Sequence, residues 1–221
     1  MVALKRFRCG TKYERDARNQ GYCSIAGVDE VGVGALFGPV VAAAVILDPA
    51  RPIRGVRDSK VLDAEDRETL AEKIRHAAIA WSVGSVEAAE IDRINIYQAA
   101  RLAMKQAVMA LGVPPDFLLV DARRLDLEIN QLSIVHGDAK CVSVAAASIV
   151  AKVTRDAMMR DWDRVFPDYG FASHKGYATP AHKKALRELG PTPLHRVSYA
   201  PVRAAAQFEM WPDLVAPEPA S

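Results

Sequence analysis

Cysteine is scarce in this 221-residue chain: Cys9, Cys23 and Cys141 are the only three, and none sits in a C-x-x-C pair. An odd number cannot be fully oxidised. That fits a reducing cytosol better than secretion, with the three thiols read as packing residues. An excess of either charge is also missing. The 29 Lys and Arg against 27 Asp and Glu leave a net charge of +2, so any polyanion must be met by local clustering and not by a global field. The longest nearly apolar stretch, Ala35 to Leu47, is interrupted by Gly38-Pro39 and is too short to cross a bilayer. Lys5, Arg6, Arg8 and Lys12 open the chain without the apolar segment of a secretory signal. A soluble, cytoplasmic protein is expected.

Signatures of side-chain nucleophiles are absent too. No serine lies in G-x-S-x-G, no cysteine has an evident base, and His76, His136, His174, His182 and His195 lack H-x-x-x-H or Cys-paired zinc spacing. Water activated by a hard metal ion is the chemistry left best supported.

What is present is a chain half apolar, enough for a substantial core and one main domain. Residues 10–20 read as a short polar helix, followed by a strand from Ser24 to Asp29. Val40 to Leu47 is a continuous apolar run of the kind buried on both faces, and Gly38-Pro39 before it marks a turn, so the two strands are expected to pair as an antiparallel hairpin. A helix starts at Asp63 with acids in its first turn and runs to about Ala78; a strand covers Ile79 to Val86. Helical spacing from Ile96 to Leu111 stops at Gly112. Short strands follow at Phe117 to Val120 and Ser133 to Val135, then an Ala-rich helix from Val142 to Phe166 and another from Ala181 to Leu189. Three strands around one helix, then alternation, give α/β with a mixed sheet. The stretch 212–221, with three prolines, is expected to be a flexible tail.

Asp29, Glu30, Asp121 and Asp138 share one property: each stands where an apolar strand gives way to a turn or loop. Carboxyl ends of strands in α/β sheets are where ligands bind. Hard divalent cations take oxygen ligands, and two of them about 3.5–4 Å apart can stabilise an in-line phosphoryl displacement. Taken singly, any of these acids reads as a cap or turn former; as a set they read as a metal site. Neighbours in a strand point to opposite faces, so Asp29 and Glu30 converge only if the strand ends or bulges, which Gly32 and Gly34 make plausible.

Several ordered blocks carry a resemblance: G-V-D-E-V-G-V-G-A-L-F-G-P-V at 27–40, R-D-S-K at 57–60, I-N-I-Y-Q-A-A at 94–100, L-L-V-D at 118–121, G-D-A-K at 137–140, V-A-A-A-S-I-V-A-K-V-T-R-D at 144–156 and H-K-G-Y-A-T at 174–179. From about Tyr13 to Val202 the chain resembles ribonuclease HII, of the type 2 ribonuclease H family. The resemblance implies an RNase H-like fold with a five-stranded mixed sheet flanked by helices and a small helical C-terminal part, residues 1–211 forming one catalytic domain. It implies that Asp29, Glu30, Asp121 and Asp138 hold two Mg²⁺ or Mn²⁺ ions. The implied substrates are an RNA/DNA hybrid, cut in its RNA strand, and duplex DNA with an embedded ribonucleotide, leaving 5′-phosphate and 3′-hydroxyl ends. It further implies that the backbone of Gly32, Val33 and Gly34 touches the 2′-hydroxyl, that Tyr177 packs on the sugar after the ribonucleotide, and that Lys60 meets the phosphate backbone. Without that context Tyr177 is an ordinary half-buried tyrosine. Ser148, Lys152 and Arg155 fall at i, i+4 and i+7, one polar stripe on an apolar helix, which is either a solvated face or a phosphate contact. A monomer is expected.

The chain departs from the family's usual Gly-Arg-Gly turn, having Val33 at its centre. Ribonuclease HIII also lacks that arginine, but the H-K-G-Y-A-T block and the short span before Ser24, with no room for HIII's N-terminal substrate-binding domain, favour HII. A dinucleotide-binding reading of Gly32-x-Gly34-x-x-x-Gly38 needs the turn to open a helix, whereas Val40 to Leu47 is a β-type run. A non-catalytic nucleic-acid module has no need of four acids that repel phosphate.

Overall fold

Strand β2, Val40–Ile46, is buried at every position, as its unbroken apolar sequence requires when both faces of a sheet are covered. In the computed structural model, which describes residues 9–56 and 62–210, β2 lies second in a five-stranded sheet of order β3-β2-β1-β4-β5. The strands are β1 Ile25–Val31, β3 Ala80–Val86, β4 Phe117–Asp121 and β5 Asn130–Ile134. β1 pairs antiparallel with β2 and parallel with β4, β2 antiparallel with β3, and β4 parallel with β5. The expected hairpin and mixed sheet are observed, and the segment after Gly38-Pro39 is a strand, which removes the dinucleotide-binding reading.

The helices are α1 Lys12–Asn19, α2 Ala64–Ala77, α3 Ala88–Ile94, α4 Ile96–Met109, α5 Gly137–Lys140, α6 Val142–Val165, α7 Phe171–His174, α8 Pro180–Leu189 and α9 Ala200–Met210. Alternation along β1 and β2 divides the core. Ala26, Val28, Ala42, Ala44 and Ile46 pack against α4, while Ala43 and Val45 pack against α2 and α6. Gly27 faces α6, and a Cβ there would overlap the Ser143 backbone, so the missing side chain is what lets α6 lie directly on the central strand. The first turn of α6 is seated from a distance. Glu14 of α1, 4% exposed, accepts from Ser143 N at 2.8 Å and from Cys141 Sγ at 3.2 Å. Asp63 and Thr179 cap α2 and α8 through their own side chains, as their residue types favour.

Three expectations need correction. β1 does not stop at Asp29: its register with β2 continues through Glu30↔Ala42 and Val31↔Val41 without a bulge. β5 is Asn130–Ile134 and not 133–135, because it is a polar edge strand whose Gln131 side chain bonds the Leu125 backbone in both directions, leaving no apolar signal. Of the cysteines only Cys141 is buried, whereas Cys9 is half-buried and Cys23 exposed, and none of the three is in a disulfide. The tail at 212–221 lies outside the described residues. No helix among those residues is long and apolar enough to cross a membrane.

Candidate metal and nucleic-acid site

Parallel pairing of β1 with β4 ends at Val28↔Val120, so the residues just beyond, Asp29, Glu30 and Asp121, meet over the unpaired edge. One carboxylate oxygen from each lies within 4.8 Å of the others. Convergence therefore comes from where the ladder to β4 stops; the strand end or bulge expected at Asp29 is not needed. Asp121 Oδ1 accepts from Gly137 N at 2.7 Å, which fastens the end of β4 to α5 and brings Asp138 in its first turn close to the group. Asp138 is buried outside the three-acid cluster, but its charge still acts on Asp29. It sits in a helical turn beyond β5, not at a strand end as its sequence context suggests.

The electrostatics at Asp29 and Glu30 are those of buried anions crowded by neighbouring carboxylates. Burial first, then Glu30 and Asp121, hold the Asp29 carboxyl well above the ordinary carboxylate range, against a hydrogen bond from Ser148. Burial also raises Glu30, and Arg123, at 3.0 Å, offsets only part of the rise. Glu30 Oε2 is buried with no hydrogen-bond partner among the described residues. Three converging carboxylates, with an orphaned oxygen on Glu30 and raised protonation at Asp29 and Glu30, are a donor set that fits hard divalent cations.

A cleft of about 330 Å³ opens over these acids, lined also by Gly32, Val33, Gly34, Arg67, Ser148, Lys152 and Tyr177. Its far wall is the 174–177 segment, tied to the β1–β2 turn by an Ala35↔Tyr177 bridge and by Leu36 N donating to Gly176 O at 2.8 Å. Gly32 is required by this chain: its φ is +90°, and a Cβ would collide with Arg155. Gly34 is not, since a Cβ there would meet open space.

The polar stripe on α6 divides. Ser148 bonds Asp29, and Lys152 lines the cleft, 2.7 Å from Asp156 and 5.8 Å from the Tyr177 ring centre. Arg155 turns the other way. It is 0% exposed, and its three nitrogens donate to the carbonyls of Pro39, Lys175 and Phe37 at 3.0, 2.9 and 3.1 Å, 5.4 Å from the Tyr177 ring centre. A phosphate contact by Arg155 is corrected to a strut that joins the turn to the Tyr177 loop; helical spacing put it on a stripe but could not show that the C-terminal segment covers that end. Lys60 lies outside the described residues.

Sequence reasoning missed Arg123, two residues beyond Asp121, which lies 4.9 Å from the Tyr97 ring centre. It also missed Arg67, in the cleft wall 4.0 Å from Asp156, and the packing of His174, His182 and His195 beneath Tyr177. His182 Nδ1 meets the Tyr177 carbonyl at 3.0 Å and its Nε2 meets His195 Nε2 at 3.0 Å. Burial lowers these two imidazoles to about 4 and about 3, so they are neutral packing groups.

With this geometry in hand, comparison with known proteins decides the family: its model, described as ribonuclease HII, matches residues 26–202. The chain belongs to the ribonuclease HII family. It is 60% identical over 203 residues to a ribonuclease HII of Koribacter versatilis, covering 92% of this chain and 80% of that one. To a ribonuclease HII of Bacillus subtilis it is 53% identical over 194 residues, covering 88% and 76%. The crystal structure of ribonuclease H2 from Pyrococcus horikoshii superimposes with a TM-score of 0.71 at 28% identity, covering 84% of this chain and 98% of that one. Ribonuclease HII membership makes the chain a metal-dependent RNase H endonuclease of RNA/DNA, on the RNase H-like α/β fold.

Proposed function

We propose that the chain hydrolyses the RNA strand of RNA/DNA hybrids and cuts at ribonucleotides embedded in duplex DNA, leaving 5′-phosphate and 3′-hydroxyl ends by a two-metal-ion mechanism. The observation that carries this reading is the convergence of Asp29, Glu30 and Asp121, with Asp138 beside them, under a cleft lined also by the backbone of Gly32, Val33 and Gly34. Asp29, Glu30, Asp121 and Asp138 would hold Mg²⁺ or Mn²⁺; when bound, such ions lower the pKa of water and neutralise charge on the phosphoryl oxygens. The chain's own residues do the rest. Ser148 orients Asp29, Arg123 orients Glu30, and the Gly137 amide orients Asp121. Lys152 and Arg67 present positive charge to a phosphate backbone entering the cleft, the backbone of Gly32, Val33 and Gly34 meets the ribose, and Tyr177 supplies an apolar face to the neighbouring sugar. Lys60 is assigned to the same backbone by its D-S-K motif. The protein acts as a cytoplasmic monomer.

A labelled RNA/DNA hybrid and a DNA duplex with one ribonucleotide, incubated with Mg²⁺, Mn²⁺ or chelator, test the reading. Cleavage is expected with either metal and not with chelator. Asp121→Asn should lower it by roughly 10³-fold or more while hybrid binding persists. Metal-independent cleavage, or an Asp121→Asn protein that cuts normally, would refute it.

A further inference from the structure

The peptide joining Val33 to Gly34 is gripped from one side by two donors. Arg196 Nη1 donates to the Val33 carbonyl at 3.0 Å and the Tyr199 hydroxyl donates to it at 2.6 Å. Arg196 also contacts the Tyr199 oxygen at 3.2 Å and sends Nε to the Gly38 carbonyl at 3.0 Å. One fully buried guanidinium thus holds both ends of the β1–β2 turn. The segment carrying the clamp is fastened in turn by Asp92 of α3, whose carboxylate accepts from the backbone N–H groups of Val197 and Ser198 at 2.9 Å each.

In a trans peptide the C=O and the N–H point in opposite directions, and the described residues contain no cis bond. Holding the Val33 carbonyl toward Arg196 and Tyr199 therefore aims the Gly34 N–H away from them, toward the cleft that Gly34 lines with Asp29, Glu30 and Tyr177. That N–H has no hydrogen-bond partner among the described residues, and open space lies beside its Cα.

We infer that Tyr199, together with Arg196, is a specificity-determining positioning residue: the clamp on the Val33 carbonyl fixes the Gly34 N–H as a donor to the ribose 2′-hydroxyl oxygen. This rests on the proposed reading of the glycine turn as the ribose sensor. A donor fixed in advance loses no freedom on binding, and a site built around a substrate hydroxyl discriminates against the analogue that lacks it. Neither clamp residue touches substrate; both act through the orientation of one peptide plane.

Tyr199→Phe removes the shorter of the two clamp bonds and keeps the packed ring. In the Asp121→Asn background with Mg²⁺, the affinities for an RNA/DNA hybrid and for the same hybrid with a 2′-fluoro strand are compared, with and without Tyr199→Phe. The substitution is expected to weaken the hybrid by about 3- to 10-fold and to leave the 2′-fluoro duplex unchanged. The Gly34 amide order parameter of the free protein should fall in parallel. Equal weakening of both duplexes, or no weakening with an unaltered Gly34 amide, overturns the inference. If the protein without Tyr199→Phe does not distinguish the two duplexes, it is the ribose-sensing reading of the turn that fails.

Discussion

The sheet side of the cleft and its C-terminal side handle charge in opposite ways. On the sheet side, Asp29, Glu30 and Asp121 converge with Arg123 as counter-ion to Glu30, and burial and mutual repulsion raise the first two. On the other side, Arg155 and Arg196 are just as deeply buried, yet all three Arg155 nitrogens and Nε and Nη1 of Arg196 donate to backbone carbonyls of the β1–β2 turn and of the segment around Lys175, and only Arg196 Nη2 has no partner among the described residues. The difference separates function from scaffold. Charges whose partners lie within the fold brace it, and charges left in mutual conflict await a ligand from outside.

The sharpest way to break this contrast is Arg155→Met. It would leave two buried carbonyls and one half-buried carbonyl without this donor, and we expect a loss of about 3 kcal/mol or more in chemical denaturation. The salt dependence of substrate binding should not change. A stable variant with a shallower salt slope would make Arg155 a phosphate contact after all.

A smaller effect is expected from Asp29→Asn. Because the folded-state carboxyls of Asp29 and Glu30 lie above their ordinary values, the folded chain holds more protons than the unfolded chain from about pH 4 up to those raised values. Metal-free stability from this site therefore falls as pH rises through that window. Removing one charge should raise the metal-free melting temperature near neutral pH by about 2–4 °C and abolish the rise that Mg²⁺ gives the wild type. A lower melting temperature in the variant would contradict the account of conflict among the acids.

The smallest effect concerns Val33, at the junction of the two sides. Val33→Arg is expected to speed cleavage of a duplex with a single ribonucleotide by about 5-fold, the scale of one added charge-assisted hydrogen bond, with little change on a continuous hybrid. Equal rates on the single-ribonucleotide duplex would show that the valine has no bearing on substrate range.

The central sheet was legible because β1, β2 and β4 are apolar runs buried on both faces, α4 because its apolar residues recur at helical spacing, and α6 because it is a long Ala-rich run. The acids were legible as a set because carboxylates are conspicuous beside such strands. The short α3, the polar β5 and the Ala-rich α9 gave no periodic signal distinct from their neighbours. The convergence of Asp29 with Glu30 was expected but its cause was misread, because it depends on where pairing with β4 stops, a property of two distant segments. Arg155 misled for a related reason: a helical stripe shows which side chains share a face but not what covers it. The clamp by Arg196 and Tyr199 was illegible, since it joins residues more than 160 positions apart through a backbone carbonyl.

The reach of Glu14 across the fold carries a practical consequence. Helix α6 holds Ser148 against Asp29, and its first turn rests on the Glu14 side chain supplied by α1. An edit to the leading helix would thus be felt as a tilt or fraying little more than one helical turn from the side chain that meets Asp29. Shortened or tagged versions of the protein that disturb Glu14 should be judged by their catalytic rate, because solubility alone would miss the damage.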